Sequence, residues 1–434
     1  MRAAEFPDGR YDETAGSSTS AHASDRVLVW SIALVLFLLA AANGHPAWWS
    51  SGVHLAVLAP LIIFVRGPAQ VLNFSLNRAN RLITASLAAL LLATLISAIV
   101  NLNVESYIAF FERSFAPFVL YLAAIGLRLR QKDHEILIMG LCAGTLFLFL
   151  RGLFAYYDEF GVPSFETLMW SRFEVNRIAS YTDVTLGNVT RMGSYFILVV
   201  PPLIYALLVI MRGRLNRLLL WITTCTGLAN LLISGARTGI FLFVVAMIMV
   251  AMAANARKLM TASILACVIA ALTAPIWIQS TVGGELVERF TPSLSYPGVD
   301  NSAADRLESV EQGLDVFFEN PFFGLGPESS TQHNYFTVPH QSMVHVLSEV
   351  GLFGGLAFLI LNIVVIIETV LLTIVAFKKR ALAFRYVWLI GPALWLIYGQ
   401  LAGIAFNASF ALVWMGLFSV MVALARATLV SDED

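Results

Sequence analysis

Residues Asp305–Gly355, DRLESVEQGLDVFFENPFFGLGPESSTQHNYFTVPHQSMVHVLSEVGLFGG, form the longest charged and polar interval inside a sequence that otherwise reads as membrane protein. Leu307, Val310, Leu314, Phe317 and Phe318 recur at helical spacing, with Asp305, Glu308, Glu311, Gln312 and Asp315 opposite them. That pattern predicts an amphipathic helix over 302–318, lying along a surface and N-capped by Asn301 or Ser302. Arg306 shares a face with Val310, Gly313 and Phe317, at the edge of the apolar stripe. Asn320-Pro321 stops the helix, because proline pushes the residue before it out of the α region, and Gly324-Leu325-Gly326 lets the backbone turn sharply. From His340 the chain becomes apolar and helical again, and it enters the membrane near Val350.

Working outward, the 434 residues are 58% hydrophobic and 13% charged, against roughly 25% charged in soluble domains. The composition is that of an integral membrane protein, and a net charge of −1 offers nothing to nucleic acid. Cys142, Cys225 and Cys267 lie in apolar segments without ligand spacing, so neither a disulfide framework nor a zinc site is implied. At roughly 20 apolar residues per crossing, about twelve spans are expected, at 27–43, 48–65, 82–100, 107–127, 136–157, 191–211, 218–234, 238–254, 259–278, 350–376, 384–403 and 405–424. The expected fold is an all-α membrane protein with one large periplasmic loop that contains the amphipathic helix. Its layout is a disordered cytoplasmic tail (1–26), spans one to nine (27–278), the periplasmic loop (279–349), spans ten to twelve (350–428) and a short cytoplasmic tail (429–434).

Basic residues set the orientation. Arg66, Arg78 and Arg81; Arg128, Arg130 and Lys132; Arg212, Arg214 and Arg217; Arg257 and Lys258; and Lys378, Lys379, Arg380 and Arg385 fall in alternate loops, which are therefore cytoplasmic. Every Lys falls on that side, whereas Arg113, Arg151, Arg172, Arg177, Arg191, Arg237, Arg289 and Arg306 lie outside or within spans. A guanidinium grips phosphate through two parallel hydrogen bonds, so this outer set fits a phosphate-bearing lipid; the bland alternative is snorkelling at the membrane boundary. Arg113 sits inside a span beside Glu112, where an intramembrane charge points either to function or to a structural ion pair.

These residues carry a resemblance. Arg306, then Asn320-Pro321-Phe322-Phe323-Gly324-Leu325-Gly326, then Pro339-His340 with Glu349-Val350-Gly351 nine residues after the His, is similar to the signature region of the O-antigen ligase and O-antigen polymerase superfamily. Ser234-Gly235-Ala236-Arg237-Thr238-Gly239 resembles that family's Ser-x-x-Arg turn between two spans. The family usually places Asn after its His; here Gln341 follows His340, and a His-Asn pair stands earlier at His333-Asn334. Spacing to Glu349 favours His340.

The resemblance implies a glycosyltransferase of the bacterial inner membrane, multi-pass, with its active site facing the periplasm. The donor would be an undecaprenyl-diphosphate-linked glycan, and the acceptor lipid A core (a ligase) or a nascent polysaccharide (a polymerase). His340 would be the catalytic base, Arg237 and Arg306 with Arg191 and Arg289 would hold the diphosphate, and Pro321, Gly324, Gly326, Glu349 and Gly351 would be structural. His345 and Glu349 stand one helical turn apart and can pair, whereas His340 and Glu349 are about half a rotation apart. No cofactor is expected, since the chain lacks G-x-x-x-x-G-K-[ST], H-E-x-x-H and G-x-S-x-G. The rival class, a transporter or flippase of lipid-linked glycans, predicts an internal two-half symmetry that the sequence does not display.

Overall fold

The computed structural model describes residues 19–41, 80–102, 104–125, 127–161, 189–234, 236–256, 261, 302–329, 339, 341–402 and 411–429. They are mostly helical: α1 (Thr19–Ala41), α2 (Arg81–Asn101), α3 (Val104–Phe110), a π-helical segment (Phe111–Phe115), α4 (Ala116–Ala124), α5 (Gln131–Phe160), α6 (Val189–Tyr205), α7 (Arg214–Ser234), α8 (Arg237–Ala253), α9 (Ser302–Glu319), α10 (Ser342–Val375), α11 (Arg380–Ala402) and α12 (Ala411–Leu424). Among these residues, six helices are long and apolar enough to cross a membrane, and Arg26–Ala41, Thr238–Ala253 and Trp414–Leu424 are shorter apolar helices. The expected spans at 48–65 and 259–278 lie outside the described residues.

Small residues let the helices approach closely, which is how apolar helices associate where lipid removes the hydrophobic drive. A Cβ on Gly140 would meet the Ala33 carbonyl at 2.6 Å, and one on Gly391 would overlap the Leu198 carbonyl, so α1 packs on α5 and α6 on α11 backbone to backbone. Trp388 and Trp395 of α11 and Trp414 of α12 are fully buried.

One end of the bundle gathers the loops rich in Lys and Arg. Arg128–Leu129 (β1) pairs in parallel with Thr428–Leu429 (β2), joining the loop after α4 to the end of α12. Arg385 and Arg426 both pair with Glu368 near the end of α10, and Tyr205 packs on Tyr386 with ring centroids 4.7 Å apart. The end of α2 and the starts of α3, α6, α8 and α10 gather at the opposite end, which is where the sequence places its candidate chemistry.

Candidate functional site

The amphipathic helix forms as the spacing predicts, as α9 over Ser302–Glu319. Its face is fixed by Gly313: a Cβ there would stand 2.7 Å from Val344 Cγ1 and 2.8 Å from Pro339 Cγ. α9 therefore packs directly on Pro339 and Val344, which flank position 340 in the chain. Position 306 lies two turns earlier on that same face, roughly 10 Å along the axis.

Beyond α9 the chain folds into a clasp against the helix that follows. Leu325 N–H donates to the Ser348 carbonyl (3.0 Å), Gly326 N–H to the Glu349 carbonyl (3.0 Å) and Leu352 N–H to the Pro321 carbonyl (2.8 Å). The two backbones can lie this close because neither carries a side chain at the crossing. Gly324 has φ 64 and Gly351 φ 78, the left-handed region that favours glycine. A Cβ on Gly324 would overlap the Glu349 backbone, and one on Gly351 would overlap the backbone of Phe322. Gly351 also breaks α10 into two helices, with ψ −169; the helix thus begins at Ser342 and bends where the sequence alone predicts membrane entry.

The clasp is tied to the rest of the bundle by side chains from α2 and α3. The Ser97 hydroxyl lies 2.6 Å from the Phe323 carbonyl oxygen and 2.8 Å from that of Glu349, so its one proton serves either. Asn101 Nδ2 reaches the Gly324 carbonyl at 3.4 Å, and Ser106 Oγ donates to the Pro327 carbonyl at 2.7 Å.

At its centre is a buried charge cluster. The π-helical segment offers Arg113 inward, 2% exposed; Nη1 donates to Glu349 Oε2 at 2.6 Å, and Nη2 pairs with Glu328. Glu349 Oε1 lies 3.1 Å from His345 Nε2, one turn back on α10. Glu328 holds a left-handed φ of 70, a conformation costing a non-glycine residue about 1–2 kcal/mol, while its carboxylate reaches Arg113. The His345–Glu349 pairing follows the expected helical spacing. The ion pairs of Arg113 run not to its neighbour Glu112 but to Glu328 and Glu349, more than two hundred residues away in sequence and beyond local reading.

Of the predicted chemical residues, His340, His333 and Arg289 lie outside the described residues, and at Arg191, Arg237 and Arg306 the backbone is described without the side chain. The backbone nevertheless gathers most of their positions. Position 191 opens α6 two residues before Gly193, and position 237 opens α8 two residues before Gly239. A Cβ on Gly239 would stand 3.1 Å from Gly193 Cα, and one on Gly193 would stand 2.8 Å from Tyr398 Oη. Next to Tyr398, the Gly399 carbonyl accepts from Ser342 Oγ at 2.9 Å, two residues after position 340. Gln341, where the family usually has Asn, caps α10: its Oε1 accepts from Val344 N–H at 2.6 Å and its Nε2 donates to Gln400 Oε1 at 3.0 Å. The starts of α6, α8 and α10 thus meet around the end of α11.

Comparison with curated proteins gives no match. Residues 218–359 match the model of a family described as O-Antigen ligase, a region running from α7 through α8, α9 and the clasp into α10. Over that region, about a third of the chain, the sequence is similar to the O-antigen ligase family.

Proposed function

We propose that this protein transfers a glycan from a polyprenyl-diphosphate donor to an acceptor hydroxyl, with His340 as the base and Arg237 and Arg306, joined by Arg191 and Arg289, on the diphosphate. Glycan transfer of the O-antigen ligase or polymerase type is what the matched family does; the donor, the acceptor and the residue roles are our reading. His340 takes the hydroxyl proton, the freed oxygen attacks the anomeric carbon, and the bond from that carbon to the phosphate oxygen breaks, leaving a polyprenyl diphosphate. A positioned base contributes typically about 10²- to 10⁴-fold, and one donor aimed at developing charge roughly 2.7–4 kcal/mol. The phosphate leaving group is already activated.

The observation that carries this reading is the meeting of helix starts: positions 191 and 237 are brought together by Gly193 and Gly239, and Tyr398 and Gly399 link them to the residue pair after His340. A meeting of helix N-termini suits an anion, and α9 brings position 306 along the face that packs on Pro339. The sorting of Lys to the opposite end supports a periplasmic site in the inner membrane.

Two experiments test it. Transfer from a lipid-linked donor is measured for His340→Ala and His333→Ala at matched protein levels; loss only in the first is expected, and the reverse result would move the base to His333. For orientation, a cysteine at Asp315, exposed on α9, reacts with an impermeant reagent in intact spheroplasts; reaction only after lysis would overturn the periplasmic assignment. Ser329 would be a poor label position, since it is 2% exposed.

A further inference from the structure

Gln341 and Gln400 join two parts of the chain that stand 59 residues apart. Gln341 Nε2 donates to Gln400 Oε1 at 3.0 Å, and Gln400 Nε2 donates to Asn362 Oδ1 at 3.4 Å. Asn362 is held in turn by its own helix, its Nδ2 donating to the Phe358 carbonyl at 2.7 Å. One side-chain amide therefore touches residues 341 and 362, which a continuous helix would hold roughly 30 Å apart. They meet because α10 folds back on itself at Gly351, where φ is 78 and ψ −169. A Cβ on Gly355 would overlap Leu347 and stand 3.4 Å from Met343 Cε, so the limb 342–350 lies against the limb that follows the break.

The fold-back sets where Gln341, the residue after position 340, stands. It is at the far end of the first limb from Gly351 and level with Asn362, roughly 16 Å along the second limb from the break. The clasp holds the first limb at its Gly351 end, and α11 holds it at the other. Ser342 Oγ donates to the Gly399 carbonyl at 2.9 Å, beside the bond from Gln341 to Gln400. The residue before these, Tyr398, is buried against the start of α6, where a Cβ on Gly193 would stand 2.8 Å from its hydroxyl. Tyr398, Gly399 and Gln400 thus form a bracket, with the helix that opens at position 191 on one side and the start of α10 on the other.

Gln341 uses both atoms of its amide. Oε1 caps α10 by accepting from Val344 N–H at 2.6 Å, and Nε2 makes the tether to Gln400. Asparagine, a favoured N-cap residue, would serve the cap alone. The extra methylene of glutamine, about 1.5 Å long, is what carries the amide to Gln400. We propose that Gln341 and Gln400 are positioning residues for glycan transfer: their bond, continued to Asn362, holds the folded-back limb of α10 and keeps the turn at position 340 against the bracket of α11. The proposal rests on the transfer site proposed above, in that this turn must carry part of that site.

Transfer is measured over a range of lipid-linked donor concentrations for the full-length protein as wild type, Gln341→Asn, Gln400→Met and the double variant, with the melting temperature of each. Gln341→Asn keeps the cap and loses the tether; Gln400→Met keeps the length and loses the amide. Displacing a reacting group by about 1 Å costs up to about a hundredfold, and each single variant is expected to lower kcat by roughly tenfold or more. Donor KM should stay within about twofold of wild type, as for an interaction that does not serve donor binding. The double variant should fall no further than the less active single variant, because both changes cut one bond. The melting temperature of Gln341→Asn should match wild type, which separates a lost position from a lost fold; if Gln400→Met melts early, Gln341→Asn alone decides. Wild-type kcat in Gln341→Asn, losses that multiply in the double variant, or a fall in kcat that tracks the melting temperature would overturn the proposal. His340→Ala in the same assay tests the reading beneath it. Full activity there would move the base off position 340, while a loss of kcat confined to the tether variants would still show that the turn must be held.

Discussion

At the clasp one guanidinium, Arg113, serves two carboxylates; at the Lys-rich end one carboxylate, Glu368, serves two guanidiniums. Both ends are anchored on α10, where Glu349 and Glu368 stand roughly 28 Å apart along the helix, close to the roughly 30 Å of a bilayer's hydrocarbon. They differ most in access to water. Arg113 and Glu349 are each 2% exposed, whereas Glu368 is 17% and Arg385 34% exposed. Where water is excluded, a missing partner leaves a poorly solvated charge, so the clasp depends on each of its ion pairs. Where water reaches, solvent screens the charges and losing one partner costs little. The same ingredients give a dry joint at one end and a solvent-screened one at the other.

The largest expected effect tests the dry joint. Arg113→Met removes the guanidinium that pairs with both Glu349 and Glu328, and stability should fall by about 3–5 kcal/mol, as for other buried pairs cut on one side. Thermal melting in detergent reads this. The double variant Arg113→Met with Glu349→Gln should recover part of the loss, because it removes one of the stranded charges. A single variant that melts with wild type would erase the contrast between the two ends.

Next in size is the backbone crossing. Gly351→Ala forces a side chain into a region that costs roughly 1–3 kcal/mol for any residue but glycine, and adds an overlap with the Phe322 backbone. Gly161 has a similar φ of 72 with open space around it, so Gly161→Ala carries the strain without the overlap. Melting temperatures for the pair separate the two costs, and equal losses would mean that the clasp yields at Gly351. Ser97→Ala should cost less, about 1 kcal/mol for a hydroxyl proton shared between two carbonyls, and should lower glycan transfer only as far as it loosens the clasp.

Much of this was legible in the sequence, and the limits are physical. α9 and the turn after it follow from apolar spacing, Pro321 and two glycines, all local signals. The i,i+4 pairing of His345 with Glu349 is equally local. Arg113 was visible as an anomaly, a charge within a span, but its partners were not, because they depend on which helices become neighbours in three dimensions. The same holds for Ser97, Asn101 and Ser106: polar residues near the end of an apolar helix are common, and only the docking of Phe323 and Gly324 against them gives them a task. Glu368 was overlooked for a similar reason. It sits deep in an apolar run, and the two arginines that pair with it come from α11 and from the chain beyond α12.

The smallest effect is expected from Arg385→Gln. The side chain is a third exposed, and Arg426 stays on Glu368 after the change, so no buried charge is stranded. Exposed and half-exposed ion pairs contribute about 0–1 kcal/mol, and the melting temperature should move little. Transfer of glycan from a lipid-linked donor should be unchanged, since position 385 stands at the other end of the bundle from the meeting of α6, α8 and α10. A large loss of stability would show that the Lys-rich end is as rigid as the clasp. A loss of transfer with the fold intact would be more telling: it would mean that the two ends communicate along α10, which carries Glu349 to one and Glu368 to the other.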